Sequence, residues 1–286
     1  MTPTKMMMNG LPGKVATTIA THAVKAAGIE LLPYSLTGPE IDTPEIQLGD
    51  TAVVLVKPDR REALIKELKD SHGIFISVDF THPSAVNDNA DFYCAQELPF
   101  VMGTTGGDRA KLQATVEVSN IPAVIAPNMA KQIVGLQAMM AYGGEQFPTL
   151  FKGYTMTLEE SHQQGKADTS GTAKAMVGYF NQMGVAFDPD EIVQVRDPKI
   201  QKQQWGIPEA YLEGHGWHTY TLTSPDGTVT FQFKHNVNGR DIYATGTFDA
   251  ACFLAAKVAA GVKGRVYSMI DVLRHPSEEL KSAVAP

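Results

Sequence analysis

The segment EESHQQGKADTSGTAKA, residues 159 to 175, concentrates groups able to do chemistry. His162 is a group able to shuttle a proton, and Lys166, four residues on, is a fixed positive charge. Ser170, Gly171 and Thr172 then open a helix with Ser170 at the N-cap, where free N–H groups and hydroxyls form a cradle for an anion such as a carboxylate. A proton shuttle, a cation and an anion cradle suit acid–base work on a carboxylate substrate. The same residues also read as a loop histidine and a solvated lysine before a well-capped helix, and spacing alone leaves both readings open.

A second group lies near the start. In NGLPGKVA, residues 9 to 16, Gly10 and Gly13 allow a tight turn and close approach of the backbone to a pyrophosphate. The helix N-terminus that follows is a positive dipole end, and Lys14 adds a charge. A glycine-rich strand-to-helix turn also occurs for packing alone, but this one sits inside a βαβ unit. NAD-binding sheets place an acid at the end of the second strand to hold the ribose 2′-hydroxyl. Here that strand ends in Ser35-Leu36-Thr37-Gly38, with no acid before Glu40, and the Ser35 and Thr37 hydroxyls are available as donors. NADPH is therefore the expected cofactor, with NADH as the alternative. DFTHPSA (79–85), GTTGGD (103–108) and APNMAKQ (126–132) follow later strands and belong at the same sheet edge.

These loops require elements to hold them. Residues 5–9, 51–56, 74–80, 99–103 and 121–127 read as strands, and TAVVLV (51–56) is a continuous β-branched run of the kind buried on both faces. Helices are expected over about 13–27, 58–72, 83–97 and 107–119. Such alternation predicts a parallel, doubly wound sheet with right-handed crossovers. Beyond a long helix at about 130–146 the pattern changes. YTMTLEES, a strand near 191–195 and a hairpin turning at Pro225-Asp226-Gly227 predict a separate sheet, and TFDAACFLAAKVAAG returns as a helix to the first domain.

Composition bounds the function. A chain of 286 residues, 43% hydrophobic and 19% charged, argues against disorder, and its net charge of −7 argues against nucleic-acid binding. No run of ~18 apolar residues predicts a membrane span. MTPTKMMMNG lacks a signal or presequence pattern, so a cytoplasmic location is expected. Cys94 and Cys252 stand apart from any metal-ligand spacing; both read as reduced interior thiols, and no metal is expected.

Five of these motifs, GLPGKVA, DFTHPSA, GTTGGD, APNM and ESHQQGKADTSGT, occur in the order found in dihydrodipicolinate reductases. The chain resembles that family over nearly its whole length, with stretches such as PFVMGTTGGDR and YSMIDVLR similar to the plant and cyanobacterial branch. The resemblance implies a Rossmann-like domain, 1–128 with 247–286, and an inserted α+β substrate and oligomerisation domain, 129–246. It implies reduction of 4-hydroxy-tetrahydrodipicolinate by NAD(P)H, with loss of water, in lysine biosynthesis. Gly10, Leu11, Pro12, Gly13, Lys14 and Val15 would hold the pyrophosphate; Phe80, Thr81 and His82 would lie along the cofactor. Gly103, Thr104 and Thr105, with Ala126, Pro127, Asn128 and Met129, would line the nicotinamide end. His162 and Lys166 match the proton-handling pair, and Gly171 and Thr172, after Ser170, the carboxylate site.

The sequence departs from the bacterial pattern at Gln163, which replaces a substrate-contacting histidine, at Gly165, at Ala16 and at His82, which replaces an arginine. The family also implies a homo-oligomer, a tetramer or a dimer, built through WHTYTLTS and TVTFQFKH. Closure of the two domains about 128–130 and 245–247 is expected to bring substrate and cofactor together. Two competing readings remain at this stage. A semialdehyde-dehydrogenase-like enzyme would need a thiolate that neither helical cysteine is placed to supply. A non-catalytic binding or assembly relative would have no need of His162, Lys166 and Ser-Gly-Thr together.

Overall fold

The computed structural model describes residues 2–275; Met1 and residues 276–286, the end of the expected first domain, lie outside the described residues. The chain divides into two compact units, Met1–Val134 with Asp241–Pro286, and Gly135–Arg240. In chain order the elements are β1 (Thr4–Asn9), α1 (Lys14–Ala23), β2 (Ile29–Leu31), β3 (Tyr34–Leu36), β4 (Glu45–Leu48), β5 (Thr51–Val56), α2 (Arg61–His72), β6 (Ile76–Asp79), α3 (Val86–Ala95), β7 (Phe100–Met102), α4 (Arg109–Glu117), β8 (Ala123–Ile125) and α5 (Lys131–Gln146). They continue with β9 (Thr155–His162), α6 (Gly171–Gln182), β10 (Val193–Val195), α7 (Pro198–Gln203), β11 (His215–Thr223), β12 (Thr230–Asn238), α8 (Ile242–Ala259), β13 (Val266–Tyr267) and α9 (Met269–Arg274).

The first unit is the expected doubly wound sheet. Its strands run β13-β8-β7-β6-β1-β2, every neighbouring pair parallel. The helices cover both faces. Ile19 of α1 and Leu254 of α8 belong to one core, while Ile65, Tyr93 and Leu112 of α2, α3 and α4 belong to the other. The interior strand β1, between β6 and β2, has Met6, Met7 and Met8 each 0% exposed and facing alternate cores. That corrects the reading of TAVVLV as a strand buried on both faces. β5 lies in a three-stranded sheet, β3-β5-β4, where antiparallel β4 covers its edge and Val54 is 39% exposed. The second strand is split at Pro33, which offers no N–H to a ladder: β2 pairs with β1, and β3, beyond the proline, pairs with β5.

Helix ends also differ from expectation. α1 stops at Ala23 rather than near residue 27, and Pro83–Ala85 form a 3-10 turn ahead of α3, which ends at Ala95 rather than residue 97. β13 and α9 carry too short an apolar pattern to be read from the sequence.

The second unit is a four-stranded sheet, β10-β9-β11-β12, with β9, β11 and β12 antiparallel. Its inner face packs Leu158, Tyr220 and Leu222 against Phe180 and Val177 of α6. The outer face presents Thr157, Glu159, Thr219 and Lys234.

Candidate active site

In the first unit the loops expected to receive a dinucleotide stand at the carboxyl ends of β1, β3, β6, β7 and β8. Gly10 has φ +98°, and a Cβ there would fall against the Phe80 carbonyl, so the first glycine is required by both conformation and space. The first bond of α1 runs from the Thr17 amide to the Gly13 carbonyl at 2.8 Å, which leaves the amides of Lys14, Val15 and Ala16 ahead of it at the helix start. Lys14 and Pro12 are exposed beside them, whereas Leu11 is buried and anchors the loop. Gly103 leaves room for the Phe80 ring, which a Cβ would strike. A cradle that side chains would fill, opening onto a helix N-terminus, fits a dinucleotide phosphate.

The structure revises the role foreseen for two hydroxyls. Ser35 is 0% exposed, and its Oγ accepts from the Leu11 amide at 3.3 Å. Thr37 Oγ1 donates to the Leu11 carbonyl at 2.7 Å. Both hold the glycine loop against the second strand instead of pointing at a ligand. Glu40 folds its carboxylate over Gly38, and Lys57 directly follows Val56, the β5 partner of Leu36. His82 is exposed, and its Nδ1 accepts from the Ser84 amide at 3.2 Å. Thr104 is buried, Thr105 and Pro127 are exposed, and Asn128 Oδ1 accepts from the Ala130 amide at 2.9 Å between buried Ala126 and Met129 and the start of α5.

The second unit carries the residues expected to handle protons. His162 ends β9, and its Nδ1 lies 3.0 Å from the His215 carbonyl. A carbonyl only accepts, so Nδ1 carries the hydrogen, and Nε2, buried without a hydrogen-bond partner, is the unprotonated nitrogen. Gly216, paired with His162 across the sheet, gives the ring its space: a Cβ there would lie 3.0 Å from it. Two residues earlier on the same strand face, Glu160 is 0% exposed. Its Oε1 accepts from Arg196 at 2.5 Å and its Oε2 from the Ser170 amide at 3.0 Å, tying β9 to the start of α6. Ser170 occupies the N-cap position without a side-chain capping bond, and its own amide donates to the Glu160 carboxylate. Lys166 Nζ pairs with Asp168 at 2.6 Å, so its charge is shared rather than free. Gln163 is half-buried, and Gly171 and Thr172 form the first turn of α6.

Three further histidines line this sheet. His218, 3% exposed, meets His162 edge-on at 5.2 Å between ring centroids and stacks on His235 at 4.6 Å. His215 bonds Ser161 at 2.8 Å. Burial holds His162 down at about 4, against the pull of the Glu160 carboxylate, and the Arg196 and Lys166 charges lower it further. Burial, with the neighbouring His235 and His162, pushes His218 down to about 2. His162 and His218 bring ring nitrogens within 4.8 Å of each other and of Glu160, but both Glu160 oxygens already accept bonds from Arg196 and Ser170.

Sequence reasoning missed Asn9, Asp79, Tyr93, Glu160, Arg196, His218 and His235. Glu160 and Asp79 lay inside quoted motifs, and an acid within a motif is the one signal that would have found them.

A parallel dinucleotide-type sheet with a glycine cradle, and a second unit with a histidine, a lysine and a helix N-terminus, define a two-unit reductase architecture. The dihydrodipicolinate reductase N-terminus model matches residues 4–129, and the C-terminus model matches residues 135–273. 4-Hydroxy-tetrahydrodipicolinate reductases 1 and 2, chloroplastic, of Arabidopsis thaliana are each 46% identical over 269 residues, covering 94% of this chain and 77% of theirs. The solved dipicolinate-bound dihydrodipicolinate reductase of Paenisporosarcina sp. TG-14 superposes with a TM-score of 0.64 at 17% identity, over 93% of this chain and 97% of that one, and shares the fold. The chain belongs to the dihydrodipicolinate reductase family.

Proposed function

We propose that this chain reduces 4-hydroxy-tetrahydrodipicolinate to tetrahydrodipicolinate, with loss of water, using NADPH as hydride donor and His162 and Lys166 as the acid–base pair. The reductase activity and its place in lysine biosynthesis come with the family; the residue roles and the choice of NADPH are our reading. The first unit is assigned the cofactor and the second the substrate. When bound, the nicotinamide would supply a hydride to the conjugated C=C–C=N system that loss of water creates in the substrate. His162 Nε2 gives a proton where negative charge develops at the ring nitrogen, and Lys166 stabilises that charge. The amides of Gly171 and Thr172 at the start of α6, with the Ser170 and Thr172 hydroxyls, hold one substrate carboxylate; the Ser170 amide itself is taken by Glu160. The observation that carries the assignment is the fixed His162 ring, whose Nδ1 faces a backbone carbonyl at 3.0 Å and so leaves Nε2 for chemistry.

The test couples the purified protein to the upstream synthase that makes the unstable substrate and follows NADPH absorbance. His162→Ala and Lys166→Ala are each expected to lower kcat by about 10²-fold or more with an unchanged melting temperature. Near-normal turnover in both would refute these roles and favour a non-catalytic binding or assembly factor.

Support for NADPH over NADH is the absence of an acid at positions 35–37; Lys57 lies near that strand end with its charge shared by Asp42 at 2.8 Å. Glu40 is the opposing group. Removing its charge in Glu40→Gln is expected to widen the NADPH-to-NADH affinity ratio by about threefold to tenfold, read from the two dissociation constants. Tighter binding of NADH by the unaltered protein would overturn the preference.

We assign the open sheet face, with Thr157, Thr219 and Lys234, to a homo-oligomer, dimer or tetramer, that light scattering would size. A cytoplasmic location is our reading from the sequence. No described helix is long and apolar enough to cross a membrane, and fractionation of the activity tests the location.

A further inference from the structure

Asp79 closes β6, and its side chain is 0% exposed. Among the described residues no lysine, arginine or histidine lies within ion-pair distance of it. Neutral donors satisfy it instead. Oδ1 accepts from Thr104 Oγ1 at 2.6 Å, from Thr81 Oγ1 at 2.8 Å and from the Thr81 amide at 3.1 Å. Oδ2 accepts from the Tyr93 hydroxyl at 2.8 Å and from Asn89 at 3.0 Å.

The bonding continues inward. The Tyr93 hydroxyl accepts from Asn9 Nδ2 at 3.2 Å, and Asn9 Oδ1 accepts from the Leu36 amide at 2.9 Å. Asn9 precedes Gly10, and its carbonyl accepts from the Phe80 amide at 3.2 Å. The Asp79 carbonyl accepts from the amides of Gly103 and Thr104 at 2.9 and 3.1 Å. One connected chain therefore joins the glycine loop, the end of the second strand, the 80–82 loop and the 103–105 loop. Asn9 and Tyr93 within it, and Ser77, whose Oγ accepts from Asn9 Nδ2 at 2.7 Å, are as fully buried as Asp79.

A buried carboxylate without a cation is costly even when hydrogen-bonded, and a role in packing alone would be met more cheaply by an apolar side chain. Its five donors come from the two loops that follow β6 and β7 and from α3, where Asn89 also bonds the Thr81 hydroxyl at 3.2 Å. We propose that Asp79 is a positioning residue for the cofactor: acting through Tyr93, Asn9, Thr81 and Thr104, it sets the relative placement of the loops that receive the dinucleotide. The proposal rests on the assignment of those loops to the cofactor. Asp79 itself touches no ligand; it fixes where Gly10, Phe80 and Gly103 stand before binding, so its contribution is preorganisation.

Asp79→Asn keeps the shape but turns one acceptor into a donor facing donors. Cofactor KM and the NADPH dissociation constant, by fluorescence, are expected to rise about tenfold or more, with substrate KM at saturating cofactor within about twofold. Tyr93→Phe keeps the packing and removes only the link between Asp79 and Asn9; it shifts cofactor KM in the same direction by about threefold to fivefold, and decides the question if Asp79→Asn does not fold. Leu112→Ala, a core truncation on α4, is the control that lowers the melting temperature while leaving cofactor KM in place. Cofactor KM unchanged in both variants, or cofactor and substrate KM rising together with lost stability as in the control, would overturn the proposal. An unaltered protein that binds neither NADPH nor NADH would instead remove the cofactor assignment beneath it, an outcome distinct from normal binding by both wild type and variants.

Discussion

Gly10 was legible in the sequence because it acts through what it is, a residue without Cβ; His162 stood out as an imidazole, but its burial, which moves it far from neutrality, did not show. Glu160, Arg196 and Asp79 were not legible, because they act on protein groups, mostly across long gaps: Glu160 and Arg196 are 36 residues apart, and Asp79 and Thr104 are 25 apart. Two predictions belong to this scale. Gly10→Ala places a Cβ against the Phe80 carbonyl at φ +98° and is expected to cost about 1–3 kcal/mol of stability and to weaken NADPH binding about tenfold or more, read by thermal melts and a binding titration. The other concerns the proton. With burial holding His162 at about 4, the ring is neutral at pH 7 in the free protein, yet the proposed reaction needs it protonated. A bound dianion beside it would raise its affinity for a proton. Titration calorimetry with dipicolinate, a stable dicarboxylate, in buffers of different ionisation enthalpy at pH 7 should therefore report uptake of up to about one proton. Uptake should vanish in His162→Ala, and binding without proton uptake in the unaltered protein would contradict the role.

At the scale of elements, the alternation of strands and helices was readable because helix and strand periods differ and glycines mark the turns. What failed was context. TAVVLV has the composition of a doubly buried strand, but neighbours decide burial, and β4 and solvent are its neighbours. The split at Pro33 was hidden because IELLPYSL is apolar throughout. The histidines of β9, β11 and β12 show a consequence of pairing that composition cannot give. His218 stands opposite both Glu160 and His235 only because of the register of three strands. His162, His215, His218 and His235 are all held below the ordinary histidine value, burial being the largest cause for each. A base that protonates less readily folded than unfolded contributes stability above its unfolded value near 6.5, and that stability falls as pH drops from there toward the folded values. The melting temperature is expected to decline from about pH 6.5 to 4, before most depressed carboxylates titrate, and His218→Phe should flatten the decline. A melting temperature constant from pH 7 to 4.5 would contradict it.

For the whole molecule, length predicted two bodies, and the chain does divide into two compact units. The global charge is less informative than it looks. The protein carries −7, while the proposed ligands are anions. Attraction must then be local: exposed Lys14 at the start of α1, Lys166 with its charge shared by Asp168, and the amides at the starts of α1 and α6. Partial charges at a helix end act over little more than a turn, while the screening length is about 8–10 Å at ordinary ionic strength. Steered enzymes lose rate steeply with salt because a long-range field of opposite sign gathers the ligand. Here the long-range field has the same sign as the ligand, so salt weakens a repulsion at distance and an attraction at contact, and the two oppose each other. Between about 20 and 200 mM NaCl, kcat/KM for substrate and cofactor is accordingly expected to change by less than about threefold. A fall of tenfold or more over that range would mean that attraction reaches well beyond the loops, and would place the decisive charges elsewhere on the surface.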